Sequence, residues 1–252
     1  MESPIEMRVC LLTGAGGLLG RCFCKRFSRT YRIAAVYHSK PPIVATDPVL
    51  RVDPFDCESV GRAHDIWPYT IQADLASEND LGRIVDAVLH RFGRVDLLVN
   101  AAVCYRFGAV YDESFLESFR YQMTVNTFAP VKLSALLLRL YWRHRVRENL
   151  AHQRNILNVS SVSATNVFSG LGQSLYSSAK AALNQLTLHM AAEYEQFGIR
   201  VNALAPTSFP KIVPTESVVD EIARIDASDC SGRVVVGAQA STTLTPALHR
   251  YK

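Results

Sequence analysis

A short apolar run that breaks off in a cluster of glycines constrains this chain more than any other feature. Val9-Cys10-Leu11-Leu12-Thr13 is followed by Gly14-Ala15-Gly16-Gly17 and then by Leu18-Leu19-Gly20. A buried strand, a glycine turn and the start of a helix account for that order. Glycines at such a turn let the backbone approach a pyrophosphate, which then meets the free N–H groups of the helix N-terminus. The strict G-x-G-x-x-G fingerprint fails at Leu19; Thr13-Gly14-x-x-Gly17-x-x-Gly20 stands in its place.

The pattern behind this unit repeats along the chain. Residues 33–37 read as a second strand and residues 69–75 as a third, whereas 40–68 are rich in Pro and Asp and read as a loop-rich crossover. Ser77-Glu78-Asn79-Asp80 resembles a capping box ahead of a helix over 80–92, with Gly93 as its stop. Residues 95–103 give a fourth strand and its exit, 121–142 a long apolar helix, and 155–162 a fifth strand. A helix over 179–197, a strand over 199–206, a short helix over 217–224 and a last strand over 231–236 complete the chain, with a flexible polar tail from 240 to 252. Alternating β and α segments predict an α/β fold: a doubly wound, mainly parallel sheet of about seven strands flanked by helices, in one domain over residues 1–252.

Chemistry concentrates between Ser160-Ser161 and Tyr176-Ser177-Ser178-Ala179-Lys180. Tyr176 and Lys180 are four residues apart, so a helix places them on one face. An ammonium beside a phenol favours the phenolate and makes the tyrosine a better proton donor and acceptor near neutral pH. A serine hydroxyl nearby can hydrogen-bond the same substrate oxygen. That is a carbonyl-reducing or alcohol-oxidising site once a hydride source is bound.

Taken together, the glycine turn, Asn100-Ala101-Ala102-Val103, Asn126 within Thr124-Val125-Asn126-Thr127, Ser161, Tyr176 and Lys180 resemble the short-chain dehydrogenase/reductase family of Rossmann oxidoreductases, from about residue 8 to 236. The resemblance implies catalytic roles for Ser161, Tyr176, Lys180 and Asn126, with Asn126 organising a water that relays protons to Lys180. Ser161 matches the reacting serine best, with Ser160 and Ser163 close by. It implies cofactor contacts at Thr13, Gly14, Gly17, Leu18, Leu19, Gly20, Asp74, Leu75, Asn100, Ala101, Ala102, Tyr176, Lys180 and Pro206. It also implies a homodimer or homotetramer built on the two long helices. Val103 and Thr207 stand where relatives have glycine, and the segment after Pro206 is shorter than the usual lid; an open pocket for a bulky or carrier-bound carbonyl substrate is the expectation.

Strand two ends in Tyr37-His38-Ser39-Lys40, with no carboxylate before Asp47. A carboxylate there would repel a 2′-phosphate, whereas His38, Ser39 and Lys40 accept one. The expected cofactor is NADP (NADPH) rather than NAD, with Arg21 as a second candidate phosphate contact. Net charge is only +4, and the one basic cluster, residues 139–147, reads as a solvated helix end rather than a nucleic-acid patch. The six cysteines lack paired spacing, so they read as thiols and no metal site is expected. An acidic N-terminus without an apolar signal core, and no run long enough to span a bilayer, lead to the expectation of a cytoplasmic protein without membrane partners.

The working prediction is an NADPH-dependent ketone reductase, or the reverse alcohol dehydrogenase. Two alternatives stay open at this point. The glycine spacing also suits a nucleotide-sugar epimerase or dehydratase, although the chain is short for one. The departures at Val103 and Thr207 also suit a non-catalytic scaffold, which would have no use for Ser161, Tyr176, Lys180 and Asn126 together.

Overall fold

Apolar strands buried on both sides need a layer of helix on each face, and this chain supplies both. The computed structural model describes residues 7–42, 68–237 and the short strand Thr243–Leu244. Most of the expected crossover (43–67), including Cys57, and most of the expected tail (240–252) lie outside the described residues. Seven parallel strands, β1 (Arg8–Thr13), β2 (Tyr31–Tyr37), β3 (Tyr69–Gln72), β4 (Leu97–Asn100), β5 (Asn155–Val159), β6 (Arg200–Ala205) and β7 (Arg233–Val236), lie in the order β3-β2-β1-β4-β5-β6-β7. β8 (Thr243–Leu244) adds an antiparallel edge to β7.

The helices are α1 (Leu18–Phe27), α2 (Glu78–Phe92), α3 (Glu113–Leu116), α4 (Phe119–Met123), α5 (Ala129–Leu137), α6 (Val146–Ala151), α7 (Ser174–Tyr194) and α8 (Thr215–Ala227). Strand periodicity sorts β1 between two cores. Val9 and Leu11 pack with α2, α5 and the end of α7, whereas Cys10 and Leu12 pack with α1 and α8. Each fully buried leucine here contributes roughly 1.5–3 kcal/mol.

Two helices differ most in their bounds from the sequence reading. α7 begins at Ser174 rather than at 179, which puts Tyr176 inside the first helical turn instead of before it. α8 runs Thr215–Ala227, longer at both ends than the expected 217–224, because Val218, Val219, Ile222 and Ile225 form one buried stripe. The capping box is only half made. Ser77 Oγ accepts from the Asp80 N–H at 3.3 Å, but the Asp80 carboxylate turns away to accept the Asp74 N–H at 2.7 Å.

The expected long helix is real but changes register twice. α4 passes into a π-helical turn at Thr124–Phe128, then α5, then a second π-turn at Leu138–Trp142. Pro130 has no N–H to offer the Asn126 carbonyl four residues earlier, and the Ala129 N–H bonds to Thr124 O. Trp142 pins the far end, fully buried with Nε1 donating to Val95 O at 2.9 Å. The basic stretch then rounds the corner, where Arg145 pairs with Glu148 and covers the Tyr141 ring.

β1 sits between β2 and β4, so the chain leaves it in one direction for β2 and β3 and later returns on its other side. Such a switch point opens a crevice at the carboxyl ends of the strands, where parallel α/β sheets hold their ligands. The glycine turn after β1, the exit of β4 and the exit of β5 all open there.

Candidate active site

One cavity of about 1030 Å³ occupies that crevice. The glycine turn forms its floor at one end. Gly14 has φ +72°, and a Cβ there would lie 2.7 Å from the backbone of Ala102, so the turn and the β4 exit approach too closely for any other residue. Gly16 is tighter still: a Cβ would lie 1.8 Å from Lys40 O. Gly20 lies beneath the turn, where a Cβ would meet Gly14 O at 2.4 Å; its absence lets α1 pack onto the loop. Gly17 caps α1 without a side-chain bond, and the first turn carries no acidic residue. The helix N–H groups and the positive end of its dipole are therefore left for an anion.

The expected cofactor residues divide into two layers. Gly14, Gly17, Leu18, Leu19, His38, Ser39, Lys40, Asp74, Leu75, Ala101, Ala102, Tyr176, Lys180 and Pro206 line the cavity. Thr13, Gly20, Asn100 and Arg21 do not. Thr13 Oγ1 instead accepts from the N–H groups of Ala101 and Ala102, at 3.1 and 3.2 Å, and fixes the β4 exit. Asn100 Nδ2 donates to Asn158 Oδ1 at 2.8 Å and ties β4 to β5. Asp74 spends one carboxylate oxygen on the Ala76 N–H.

At the other end the catalytic candidates converge. β5 delivers Ser160 and Ser161, and the first turns of α7 deliver Tyr176 and Lys180. The three serines separate by their bonds. Ser160 Oγ points at Lys180 O and Ser163 Oγ at Gln173 Oε1. Ser161 alone of the three acts on the Tyr176 phenol, drawing its pKa down from the position that burial gives it. The Ser163 N–H donates to Ser161 Oγ at 3.1 Å, which orients the hydroxyl.

The electrostatics differ from the expected phenol–ammonium pair. Burial pushes the Tyr176 phenol above its ordinary range, the Ser161 bond pulls it back, and Tyr105 raises it again. Lys180 is not among the causes. Its side chain is 2% exposed, and Nζ donates to Val159 O at 2.7 Å. Burial lowers its pKa to about 8.

Asn126 is fully buried outside the cavity wall. Its Nδ2 donates to Cys104 O at 2.6 Å and its Oδ1 accepts the Cys104 N–H at 3.0 Å. Both ends of the amide are thus used to hold the β4 exit loop. Thr207 and Val103, which replace expected glycines, both line the cavity without closing it. The Thr207 hydroxyl oxygen is buried with no partner among the described residues.

Sequence reasoning passed over Gly16, Tyr105 and Phe107. Gly16 lies outside the Thr13-Gly14-x-x-Gly17-x-x-Gly20 spacing, and only its approach to Lys40 reveals it. The alternation Tyr105-Arg106-Phe107, just past a strand end, was the available signal for the aromatic pair. The described cysteines at 10, 22, 24, 104 and 230 are unbridged. Among the described residues no cluster suits a metal ion, and no helix is long and apolar enough to cross a membrane.

Comparison with known proteins agrees with this geometry. The family model for short chain dehydrogenase matches residues 8–217. Glucose 1-dehydrogenase 2 of Bacillus subtilis is 28% identical over 229 residues, covering 87% of this chain and 77% of that protein. Sepiapterin reductase of Chlorobaculum tepidum is 29% identical, covering 79% and 76%. Among solved structures, a short chain dehydrogenase/reductase from Brucella ovis, in complex with a partially ordered NAD, superposes with a TM-score of 0.67 at 25% identity, covering 92% of this chain and 99% of that one. A short chain dehydrogenase from Mycobacterium avium shares the fold, with a TM-score of 0.75 at 22% identity, covering 98% and 87%. The chain belongs to the short-chain dehydrogenase/reductase family and is an NAD(P)-dependent oxidoreductase.

Proposed function

We propose that the protein reduces a ketone to a secondary alcohol with NADPH, or runs the reverse oxidation. The observation that carries this reading is the meeting of Ser161, Tyr176 and Lys180 in the same cavity as the glycine turn. The residues at the turn fit a dinucleotide: Gly14 and Gly16 leave no room for a side chain, and the α1 N–H groups face the cavity's phosphate end. A bound nicotinamide supplies or accepts the hydride.

The chain's own residues do the rest. Tyr176 donates its phenolic proton to the carbonyl oxygen, and its raised pKa keeps that proton in place at neutral pH. Ser161 uses its O–H to hold the same oxygen, because a carbonyl oxygen only accepts, and the Ser163 N–H donated to Ser161 Oγ steadies the hydroxyl. Lys180 ties the first turns of α7 to the end of β5 and carries protons near its lowered pKa. A relay through Asn126 would run from its backbone carbonyl, because both ends of the side-chain amide are engaged by Cys104.

The preference for NADPH over NADH rests on the exposed His38, Ser39 and Lys40 beside Gly16, with Asp74 engaged internally. Assembly as a homodimer or homotetramer belongs to the same proposal. Phe119, Phe128 and Leu140 leave large apolar side chains exposed along the long helix.

The test is fluorescence titration of NADPH and NADH against the wild type and Lys40→Ala. NADPH should bind more tightly, and the substitution should cost it about tenfold while sparing NADH. Equal affinity for both would remove the NADPH preference. Failure to bind either would overturn the reading as a whole.

A further inference from the structure

The substrate end of the cavity differs in character from the cofactor end. Lys40, Asp74 and Lys180 are the only Lys, Arg, Asp or Glu side chains among its described lining residues. The first two stand at the dinucleotide end, and the third is buried against Val159 O. Beyond Tyr176 the described lining is uncharged: Val103, Tyr105, Phe107, Phe168, Leu171 and Ile212 supply apolar surface, with Ser163, Gln173, Thr207 and Ser208 as its polar members. Arg106 and Lys211, the charged residues nearest in sequence, do not line it.

Within that wall two rings form a shelf. Tyr105 and Phe107 stack at 5.3 Å between centroids with planes 24° apart. Tyr105 meets Tyr176 edge-on at 6.4 Å and 75°. The shelf is open, with Tyr105 59% and Phe107 56% exposed. An exposed stacked pair that continues from Tyr176 offers an aromatic face for a ring to pack against.

The shelf is also held in place. The Gly108 N–H donates to Gly172 O at 2.9 Å, joining the loop after β4 to the loop before α7. Gly172 has φ +59°, and a Cβ there would lie 2.8 Å from the Gly108 backbone. A Cβ on Gly108 would lie 2.7 Å from the Phe115 ring. Asn126 fixes the same loop from below through Cys104. A preorganised apolar surface favours a rigid, flat partner over a flexible chain, because little ordering remains to be done on binding.

We infer that the carbonyl substrate is a neutral molecule with a flat aromatic ring system, seated against the Tyr105–Phe107 shelf with its oxygen at Tyr176. This rests on the reading of the site as a carbonyl reductase. Among the described residues a charged keto acid finds no countercharge at this end, and a phosphopantetheine thioester finds no lining cation there for its phosphates.

The test compares turnover with NADPH of tetralone, decalone, levulinate and acetoacetyl-coenzyme A. Tetralone should exceed decalone, its saturated counterpart, by about tenfold in kcat/KM, and Phe107→Ala should erase that gap without changing the Kd for NADPH. Equal rates for the two, a gap that survives Phe107→Ala, or preference for levulinate or the thioester would overturn the inference. A binding arm separates this from failure of the reductase reading. Naphthol, followed by its own fluorescence, should bind Tyr176→Phe about tenfold more tightly than it binds Tyr176→Phe/Phe107→Ala. That result upholds the aromatic shelf even if no ketone is reduced, and equal binding overturns it.

Discussion

Lys180 directs its ammonium at the carbonyl oxygen of Val159, 2.7 Å away, from a position that is 2% exposed. Val159 is the last residue of β5, and Ser160 and Ser161 follow it directly. The bond therefore ties the helix that carries Tyr176 to the strand that delivers Ser161. It also sets the energetics of the site, because burying an ammonium is unfavourable unless it is well bonded.

The first prediction concerns that burial. Lys180 is lowered from 10.5 to about 8 by desolvation. Between those values the folded chain binds fewer protons than the unfolded one, so this group makes stability rise with pH across the window. Below about 8 the full cost of the buried charge applies. Lys180→Met removes the titration. The stability difference of Lys180→Met relative to wild type, from urea unfolding, should be more favourable to the variant at about pH 7 than at about pH 10.5, by about 3 kcal/mol. A difference that does not change with pH would show that the ammonium is not buried at a cost.

The second concerns Tyr176, the proposed proton donor. Tyr176 is raised by burial first, lowered by the bond to Ser161, and raised by Tyr105. Reduction needs the protonated phenol, so kcat/KM falls as pH rises through the pKa of the free enzyme. Ser161→Ala should move that alkaline limb to higher pH and lower the rate by roughly 10²–10³. Tyr105→Phe should move it the other way. Tyr176→Phe should remove roughly 10²–10⁴ of the rate, far more than it changes the Kd for NADPH. Limbs that stay put in both Ser161→Ala and Tyr105→Phe would mean that another group titrates.

How far the sequence led can be judged from particular residues. Gly14, Gly17 and Gly20 were readable because a strand, a tight turn and a helix start are local events with local residue requirements. Tyr176 and Lys180 were readable as a helical pair for the same reason, although the helix begins five residues earlier than expected, at Ser174 rather than 179. Lys180 and Tyr176 were expected to interact by charge, and that did not follow from spacing. The direction of the ammonium depends on Val159, 21 residues away in sequence. Thr13 and Asn126 were assigned to cofactor and relay, yet their side chains hold backbone at Ala101, Ala102 and Cys104. Contacts between segments brought together only by the sheet order were beyond a reading of local pattern.

A third prediction tests the bracket at the β4 exit. Thr13 Oγ1 accepts two backbone N–H groups, from Ala101 and Ala102. Thr13→Val keeps the shape and removes the acceptor, which should destabilise the protein by about 1–3 kcal/mol. Ala102 lies against Gly14, so the Kd for NADPH should rise as well. Unfolding in urea with and without NADPH would measure both effects, and unchanged stability would show that water replaces the hydroxyl.

The fourth tests the packing of α1 on the turn. A Cβ at Gly20 would lie 2.4 Å from Gly14 O and 2.5 Å from Ala15 Cα. Both neighbours are backbone, and both belong to the loop that approaches Ala102, so neither can give way like the end of a flexible side chain. Gly20→Ala must therefore lift α1 away from the turn. The helix itself would gain a few tenths to about 1 kcal/mol from the exchange of Gly for Ala, but overpacking of this kind costs about 1–3 kcal/mol, and the net sign should be destabilising. The displaced N–H groups of α1 would no longer converge on one anion, so affinity for NADPH should fall more than tenfold. Gly82→Ala, on the α2 surface where a Cβ meets nothing within 4 Å, is the matched control and should be neutral or stabilising. If both substitutions behave alike in Tm and in NADPH titration, the close approach at Gly20 is not what holds the phosphate end of the site together.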